Sequence, residues 1–348
     1  MTVQRPIESC RRGPLCCSSP PPEPLAESPA PPPESPPLPL PPSHEWQLLW
    51  ADEFDRADPL RPGSCWEAQL GDGTAYDCPC WGNNERRSYT ARPGNVRIED
   101  GQLVIEARWE DPPALPGQPY TSARIRTAGR FSVCPSPGSA ASVRVEARLR
   151  CTPGPGLWPA LWMLPETAAG AASGHGEYGS WAASGELDVM EMMNSMQQVI
   201  GSIHFGQRWP GIQCLSGHTY LTPEQAGQFH VFAVEWDRTQ MRWFLDGQQY
   251  FEARSGGGSQ GGGWWSGGPG AGANSPFDRP FHLLLNLALG SEASEFTTEG
   301  GVGITEAQLQ VRERLADPAG NPAQLVVDWV RVYQSAEASP AAEAPSSG

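Results

Sequence analysis

Long apolar runs are missing from this chain of 348 residues. A transmembrane helix needs about 18 to 25 mostly apolar residues in succession, and the sequence contains no such stretch. The first 45 residues also lack the apolar segment that forms the centre of a signal peptide. We therefore expect no membrane span and no readable export signal, and the sequence leaves the compartment open.

Positive charge is in short supply as well. The chain has 24 lysines and arginines against 39 aspartates and glutamates, which gives a formal net charge of -15 at pH 7. Such a surface repels phosphate backbones and anionic membranes. Nucleic acid is therefore not expected as a partner. The length is ample for a sizeable core, so an enzyme is possible on size alone.

A zinc motif is also absent. The chain has nine cysteines, an odd number, so at least one is unpaired unless another chain supplies its partner. The Cys78-Pro-Cys80 segment has neither a second cysteine pair nor a histidine at zinc-binding spacing. We predict structural thiols or disulfides there and assign no metal to these residues.

Proline is abundant, and it divides the chain. Residues 20–42 are mostly proline, which predicts an extended polyproline II conformation. Residues 1–44 are interpreted as a disordered Pro-rich N-terminal segment, serving either as a linker or as an untethered tail. Residues 335–348 are poor in apolar side chains and are predicted to be a disordered tail. One folded domain is then expected over residues 45–334.

The folded domain is predicted to be nearly all β. Residues 143–149 alternate apolar and charged side chains, as a strand with one buried face does. Two-residue hairpin turns are predicted at Asp100-Gly101 and at Asp246-Gly247. Many runs of period two, separated by Gly/Pro loops, indicate a β-sandwich or a jelly roll.

Two segments of the domain depart from the strand pattern. Thr222 precedes a proline at a first helical position, which predicts one short helix there. The glycine-rich stretch from Ser255 is expected to be a surface loop that carries Trp264 and Trp265. Adjacent side chains on an extended segment face opposite ways, so at most one of these indoles is expected to reach a binding site.

Three carboxylates stand out in the segment SGELDVMEMMN. Glu186 and Asp188 point the same way in a strand, whereas Glu191 joins them only if one extra residue is inserted as a β-bulge. Glu186 and Glu191 would then lie about 13 Å apart at Cα, and side chains leaning inward would close the gap to about 5 to 6 Å. That separation is typical of a retaining glycosidase, in which one carboxylate attacks and the other transfers a proton.

The alternative is a solvated strand edge with ordinary surface acids. If the three carboxylates do crowd together, the pKa of at least one of them should rise, which keeps a proton available near neutral pH. Asp188, between the other two, would hydrogen-bond the attacking group.

The segment GELDVMEMMN resembles the Glu-x-Asp-x-x-Glu signature of glycoside hydrolase family 16. Further segments resemble the laminarinase-like members of that family, in the family's order: WADEFD at Trp50, WGNNE at Trp81, YTSARIRTAGRF at Tyr120, GLWPALWMLPE at Gly156, GSIHFG at Gly201, FHVFAVEWD at Phe229, FHLLLNLALG at Phe281 and VVDWVRVYQ at Val326. The resemblance implies an all-β jelly-roll sandwich of two curved antiparallel sheets with an open cleft. It also implies endo-hydrolysis of β-1,3-linked glucans with retention of configuration.

By this resemblance Glu186 is the nucleophile, Asp188 its assistant and Glu191 the general acid/base. By the same resemblance the segment with Trp158 and Trp162 lines the cleft, and at least one of these flat indoles is expected to stack on the apolar face of a sugar ring. His204, expected on a strand next to the acids, would contact the substrate or the acid/base.

Asn84 and Arg124 match positions that bind hydroxyls on the non-reducing side in similar enzymes. No cofactor is required for this chemistry. Asp328, with Glu53 and the turn at Gly101, matches a place where some relatives hold a structural calcium, although a plain strand-end aspartate is the favoured interpretation.

A monomer that acts on a β-glucan polysaccharide is expected. Two alternatives stay open, a glucan-binding recognition protein on the same fold and a cell-wall transglycosylase. The three acids favour catalysis over recognition, because non-catalytic relatives typically lose them.

Overall fold

In the computed structural model the chain forms strands and short turns. The described residues are 46–83, 85, 87–113, 118–135, 142–166, 174–256, 262–289 and 322–335. The strands are β1 Trp46–Asp52, β2 Glu67–Ala68, β3 Arg87–Tyr89, β4 Val96–Glu99, β5 Gln102–Trp109, β6 Tyr120–Ser122, β7 Arg124–Arg126, β8 Val143–Cys151, β9 Leu157–Pro165, β10 Glu186–Met192, β11 Gln198–Gly206, β12 Ile212–Tyr220, β13 His230–Trp236, β14 Gln240–Leu245, β15 Gln248–Arg254, β16 Phe281–Leu289 and β17 Ala323–Ser335. Two 3₁₀ turns occupy Thr74–Tyr76 and Pro79–Gly82. None of the described segments is a helix of the length and apolarity needed to cross a bilayer.

The strands assemble into two sheets. The larger sheet has the order β15-β14-β13-β8-β17-β5-β6-β3, and β1 and β4 add to β17 and β5. The smaller sheet has the order β12-β11-β10-β9-β16-β7-β2. Their strand pairs are antiparallel except for β3 with β6. The predicted all-β jelly-roll sandwich is confirmed.

The core lies between the sheets and follows the period-two pattern. On β8 the apolar residues Val143, Val145, Ala147 and Leu149 are buried, while the charged residues between them are partly exposed. On β16 the odd-numbered residues from 281 to 289 belong to the same core. The even-numbered residues of β16 therefore face the other way, onto what we call the outer face of the smaller sheet.

The two predicted hairpins are confirmed. Asp100-Gly101 joins β4 to β5, and Asp246-Gly247 joins β14 to β15. All four turn residues have positive φ, between 48° and 80°. That geometry matches the right-handed twist of the flanking strands, and Asp-Gly adopts it at low cost.

The predicted helix at Thr222 is wrong. Thr222 Oγ1 does accept a hydrogen bond from the Gln225 amide, as a helix cap would. The segment makes only turns before Gly227, whose φ is 84°. Glycine in this left-handed conformation ends a helix, so the cap organises a single turn.

The expectation that Trp264 belongs to a surface loop is also wrong. Its indole is fully buried and packs edge-on against Phe277, with ring centroids 5.5 Å apart. Trp265 is only partly buried, and its Nε1 donates to Gln213. The burial of the Trp264 indole outweighs the flexibility that the glycines around it would allow.

The predicted ends of the chain lie almost wholly outside the described residues. This applies to the Pro-rich segment 1–44 and to residues 336–348. Ser335, expected at the start of the C-terminal tail, is the last residue of β17.

Candidate active site

The interior strand β10 of the smaller sheet carries the three acids between β9 and β11. Asp188 pairs with Ser202 of β11, and Glu191 pairs with Ile200. Two residues of β10 between those pairs therefore lie opposite a single residue of β11, which is the predicted β-bulge. The pairing of β10 with β9 shifts at the same place.

The bulge decides where Glu191 points. Val189 and Met190 are both packed in the core, 1% and 0% exposed. In a regular strand only one of two successive side chains can face the core. The extra residue returns Glu191 to the outer face, where Glu186 and Asp188 also lie.

An indole holds the carboxyl group of Glu191. Trp158 Nε1 donates a hydrogen bond of 3.0 Å to Glu191 Oε1. Trp158 packs with Ala288 in a small cluster separate from the main core. Both Glu191 and Trp158 are largely buried, so the bond fixes the orientation of the carboxyl group on the outer face.

A second indole holds Glu186 in the same way. Trp181 Nε1 donates a hydrogen bond of 3.0 Å to Glu186 Oε2. The Trp181 ring also lies 5.6 Å from the imidazole of His204. Trp181 comes from the segment just before β10, so a residue outside the strand orients one of its acids.

Asp188 is positioned from the neighbouring strand. Ser202 Oγ donates a hydrogen bond to Asp188 Oδ2. His204 Nε2 lies 3.5 Å from the same oxygen and 3.9 Å from Glu186 Oε1. The two strands are neighbours, as predicted, and Glu186 pairs directly with His204.

His204 adds positive charge to this group. Burial by itself lowers the pKa of His204, but the hydrogen bond to Asp188 and the charges of Glu186, Asp188 and Glu191 raise it to about 9. The imidazolium is thus favoured at neutral pH and balances part of the negative charge. The carboxylates of Glu186 and Asp188 lie within 4 Å of His204 Nε2. The expectation from the resemblance was contact with the substrate or with the acid/base, Glu191.

Arg124 of β7, Trp162 of β9 and Trp81 of the second 3₁₀ turn form what we call the wall. Arg124 Cζ lies 4.5 Å from the ring centroids of both Trp81 and Trp162. Its Nε donates to Gln69 Oε1 at 2.6 Å, and burial lowers its pKa. Trp162 Nε1 donates to Asn286 Oδ1 at 2.7 Å. The guanidinium between two indoles keeps both rings in place.

The predicted residues come together with one exception. The described structure brings Trp158, Trp162, His204 and Arg124 to the outer face with the acids. Asn84 lies outside the described residues.

Sequence reasoning missed Trp181, Asn286, Ser202's bond to Asp188 and the stacking role of Trp81. Asn286 carried a signal, because it is the only amide in the apolar run FHLLLNLAL.

Metal binding fits these residues poorly. Glu186, Asp188 and His204 have ligand atoms within 4.8 Å of one another and could hold an ion, but a protonated His204 opposes this. At the calcium position, Arg148 donates to Asp328 at 2.6 Å and Arg331 donates to Glu53 at 2.8 Å. These arginines supply the positive charge that calcium would bring, so the carboxylates of Asp328 and Glu53 do not fit a calcium site.

Cys80 does not fit a zinc site either. Its thiol is free, and its pKa is raised, first by burial and then by the charges of Asp72 and Glu85. Zinc binds the thiolate, which this environment disfavours.

Comparison with known proteins agrees with this geometry. The pattern of Glycosyl hydrolases family 16 matches residues 84–262. The chain is 34% identical to the Beta-glucanase of Rhodothermus marinus over 296 residues, 84% of this chain and 86% of that protein. It is also 34% identical to Glucan endo-1,3-beta-glucosidase A1 of Niallia circulans over 298 residues, 82% of this chain but 38% of that protein.

A solved structure has the same fold. The endo-beta-1,3-glucanase of Pyrococcus furiosus matches with a TM-score of 0.61 and 30% identity, over 85% of this chain and 97% of that chain. The sandwich, the outward-facing acids and these relatives define a glycoside hydrolase. Within that class, the chain belongs to family 16 of the glycosyl hydrolases.

Proposed function

We propose that this hydrolase cleaves internal β-1,3-glucosidic bonds of laminarin-like glucans with retention of configuration. The observation that carries the proposal is the bulge at Val189 and Met190, which puts Glu186 and Glu191 on one face of one strand. The two carboxyl groups can then act on the same glycosidic bond.

The reaction runs in two steps. Glu191 donates its proton to the glycosidic oxygen while a carboxylate oxygen of Glu186 attacks the anomeric carbon, and the leaving sugar departs as an alcohol. Glu191, now a carboxylate, removes a proton from water, whose oxygen attacks the anomeric carbon and releases Glu186. Each carboxyl group ends in its starting protonation state.

The surrounding contacts support these two roles. The indole N–H groups of Trp181 and Trp158 hold Glu186 and Glu191 at fixed orientations. The cation of His204 lies beside Glu186 and Asp188, which reduces the cost of placing carboxylates side by side in a buried site.

The linkage preference rests on resemblance and on relatives, two of which are named as endo-1,3-β-glucanases. A panel of laminarin, lichenan, xyloglucan and agarose, with products sized at early times, tests it. We expect laminarin to be cut fastest and to yield a mixture of internal fragments. Preferential cleavage of another polymer, or release of a single small product, would overturn the substrate and the endo mode respectively.

The stereochemistry is tested by following the anomeric proton signals of fresh product. Retention predicts that the β-anomer forms first and mutarotates later. Glu186→Gln should lower turnover by about a thousandfold or more, because it removes the nucleophile and leaves the fold intact. First formation of the α-anomer, or normal turnover in Glu186→Gln, would overturn the mechanism.

A further inference from the structure

An exposed aromatic pair lies on β12, the edge strand of the smaller sheet. His218 and Tyr220 have ring centroids 5.3 Å apart at 74°. Tyr220 is 63% exposed, more than any other exposed large apolar side chain among the described residues. An exposed aromatic held by a neighbouring ring presents apolar area to a ligand at low entropic cost.

The register places this pair on the same face as the acids. Ile200 of β11 pairs with Glu191 on one side and with His218 on the other. Directly opposite residues share a face of the sheet, so His218 lies on the outer face about 10 Å from Glu191 at Cα, two strand spacings away.

The opposite face of β12 is closed by the core. A Cβ on Gly217 would meet the Phe251 ring at 2.3 Å, and one on the paired Gly201 would meet the Trp243 ring at 2.3 Å. Residues 217 and 201 therefore face inward. Their neighbours in the alternation, including His218, face outward.

The phenol of Tyr220 contacts the neighbouring strand β11. Its hydroxyl oxygen accepts a hydrogen bond of 3.3 Å from Gln198 Nε2, and Gln198 is its direct cross-strand partner. The ring is thus held over the outer face of the sheet.

We propose that His218 and Tyr220 form the sugar platform on the leaving-group side of the cleaved bond. This rests on the proposed function, in which the bond lies over β10. The wall residues Trp162 and Arg124 lie on β9 and β7, on the far side of β10 from β12, and Trp158 lies on β9 as well. The wall and the platform thus lie on opposite sides of the cleaved bond. With the wall binding the sugars that stay attached to Glu186, the platform binds the sugar that departs in the first step.

The same platform governs which acceptor ends the reaction. A sugar bound there can replace water: its hydroxyl oxygen bonds to the anomeric carbon, Glu191 takes the hydroxyl proton, and the bond to Glu186 breaks. Transfer to sugar and hydrolysis then compete for one intermediate. The ratio of transfer to hydrolysis therefore measures how often an acceptor sugar occupies the platform.

The experiment measures that ratio with a laminari-oligosaccharide as donor and laminaribiose as acceptor. Tyr220→Ala is expected to lower the ratio of transfer to hydrolysis by about tenfold, which corresponds to the loss of one stacked ring. Tyr220→Phe keeps the ring and should keep the ratio. His218→Ala should give a smaller decrease, because His218 supports the Tyr220 ring from the side.

The matched control is Leu48→Ala, which removes another exposed apolar side chain, 53% exposed on β1 of the other sheet. It should leave both activity and ratio unchanged. The ratio does not depend on the fraction of folded enzyme, so partial misfolding does not blur the result. An unchanged ratio in Tyr220→Ala, with wild type active on laminarin, refutes the platform alone. A wild type that cannot cleave laminarin refutes the proposed function itself.

Discussion

The two halves of the smaller sheet hold buried histidines in opposite charge states. On β11, His204 is 4% exposed and lies beside the carboxylates of β10. Their attraction overcomes the effect of burial and raises its pKa to about 9. On β16, His282 is 3% exposed; burial, followed by the charges of Arg126 and Arg124, lowers its pKa to about 3.

Equal burial thus gives opposite outcomes, and the difference comes from the charge of the neighbours. The β10–β11 half is acidic and needs a cation, so His204 is protonated at neutral pH. In the β16–β7 half, Glu166 Oε2 lies 3.9 Å from His282 Nδ1, but burial and the two arginines outweigh this carboxylate, so His282 is neutral. We infer that the acidic half carries the chemistry and the arginine half binds and supports.

The largest effect should come from the acidic half. Glu191→Gln removes the proposed proton donor and should lower turnover of laminarin by about 10²- to 10⁴-fold. With a nitrophenyl glycoside as substrate, the rate of the first step should fall far less in this variant, because the nitrophenol leaving group needs no proton. Steady-state kinetics on both substrates measures the contrast.

The control for Glu191→Gln is Glu235→Gln, whose carboxylate pairs with Arg144 and Arg242 on the larger sheet. It should leave turnover unchanged. An equal loss on both substrates in Glu191→Gln would contradict the acid role.

His204→Gln tests the cation of the acidic half. The pKa of His204 in the folded protein, about 9, lies above the unfolded value of about 6.5. Its stabilisation is therefore complete below pH 6.5 and is lost as the pH rises through 9. Urea unfolding should show wild type more stable than the variant by roughly 3 kcal/mol at pH 6, and the gap should shrink by pH 10. A gap that does not change with pH would count against a protonated His204.

His282→Asn tests the arginine half and should have the opposite pH dependence. The pKa of His282, about 3, lies below the unfolded value, so the unfolded chain takes up a proton first as the pH falls. Because of this residue, the free energy of unfolding of wild type should fall by about 2 kcal/mol between pH 6.5 and pH 5. That of the variant should not show this decrease. Parallel stability curves for the two proteins over that range would show that His282 is protonated in the fold.

Arg124→Gln should give the smallest of these effects. It removes the cation between Trp81 and Trp162 and should raise KM for laminarin by about tenfold with little change in kcat, because the wall binds but does not react. A loss confined to kcat would instead place Arg124 in the chemistry.

Much of the site could be predicted because its determinants are local. The three acids and the extra residue between them all lie within residues 186–191, and strand periodicity converts their spacing into directions. The prediction of a helix at Thr222 failed because a capping signal is local. The length of a helix depends on the residues beyond its first turn, and here Gly227 ends it. The prediction of a surface position for Trp264 failed because its glycine-rich neighbours indicate flexibility. Phe277, which packs against Trp264, lies outside that glycine-rich stretch.

The sequence by itself determined the strands, the two Asp-Gly turns and the alignment of Glu186, Asp188 and Glu191, since each follows from the steric preferences of neighbouring residues. Only the tertiary structure decided which indoles hold the acids, and why one buried histidine is charged and the other neutral. Those outcomes depend on hydrogen bonds and charges that act through space between residues brought together only by the packing of the strands and the segments that join them.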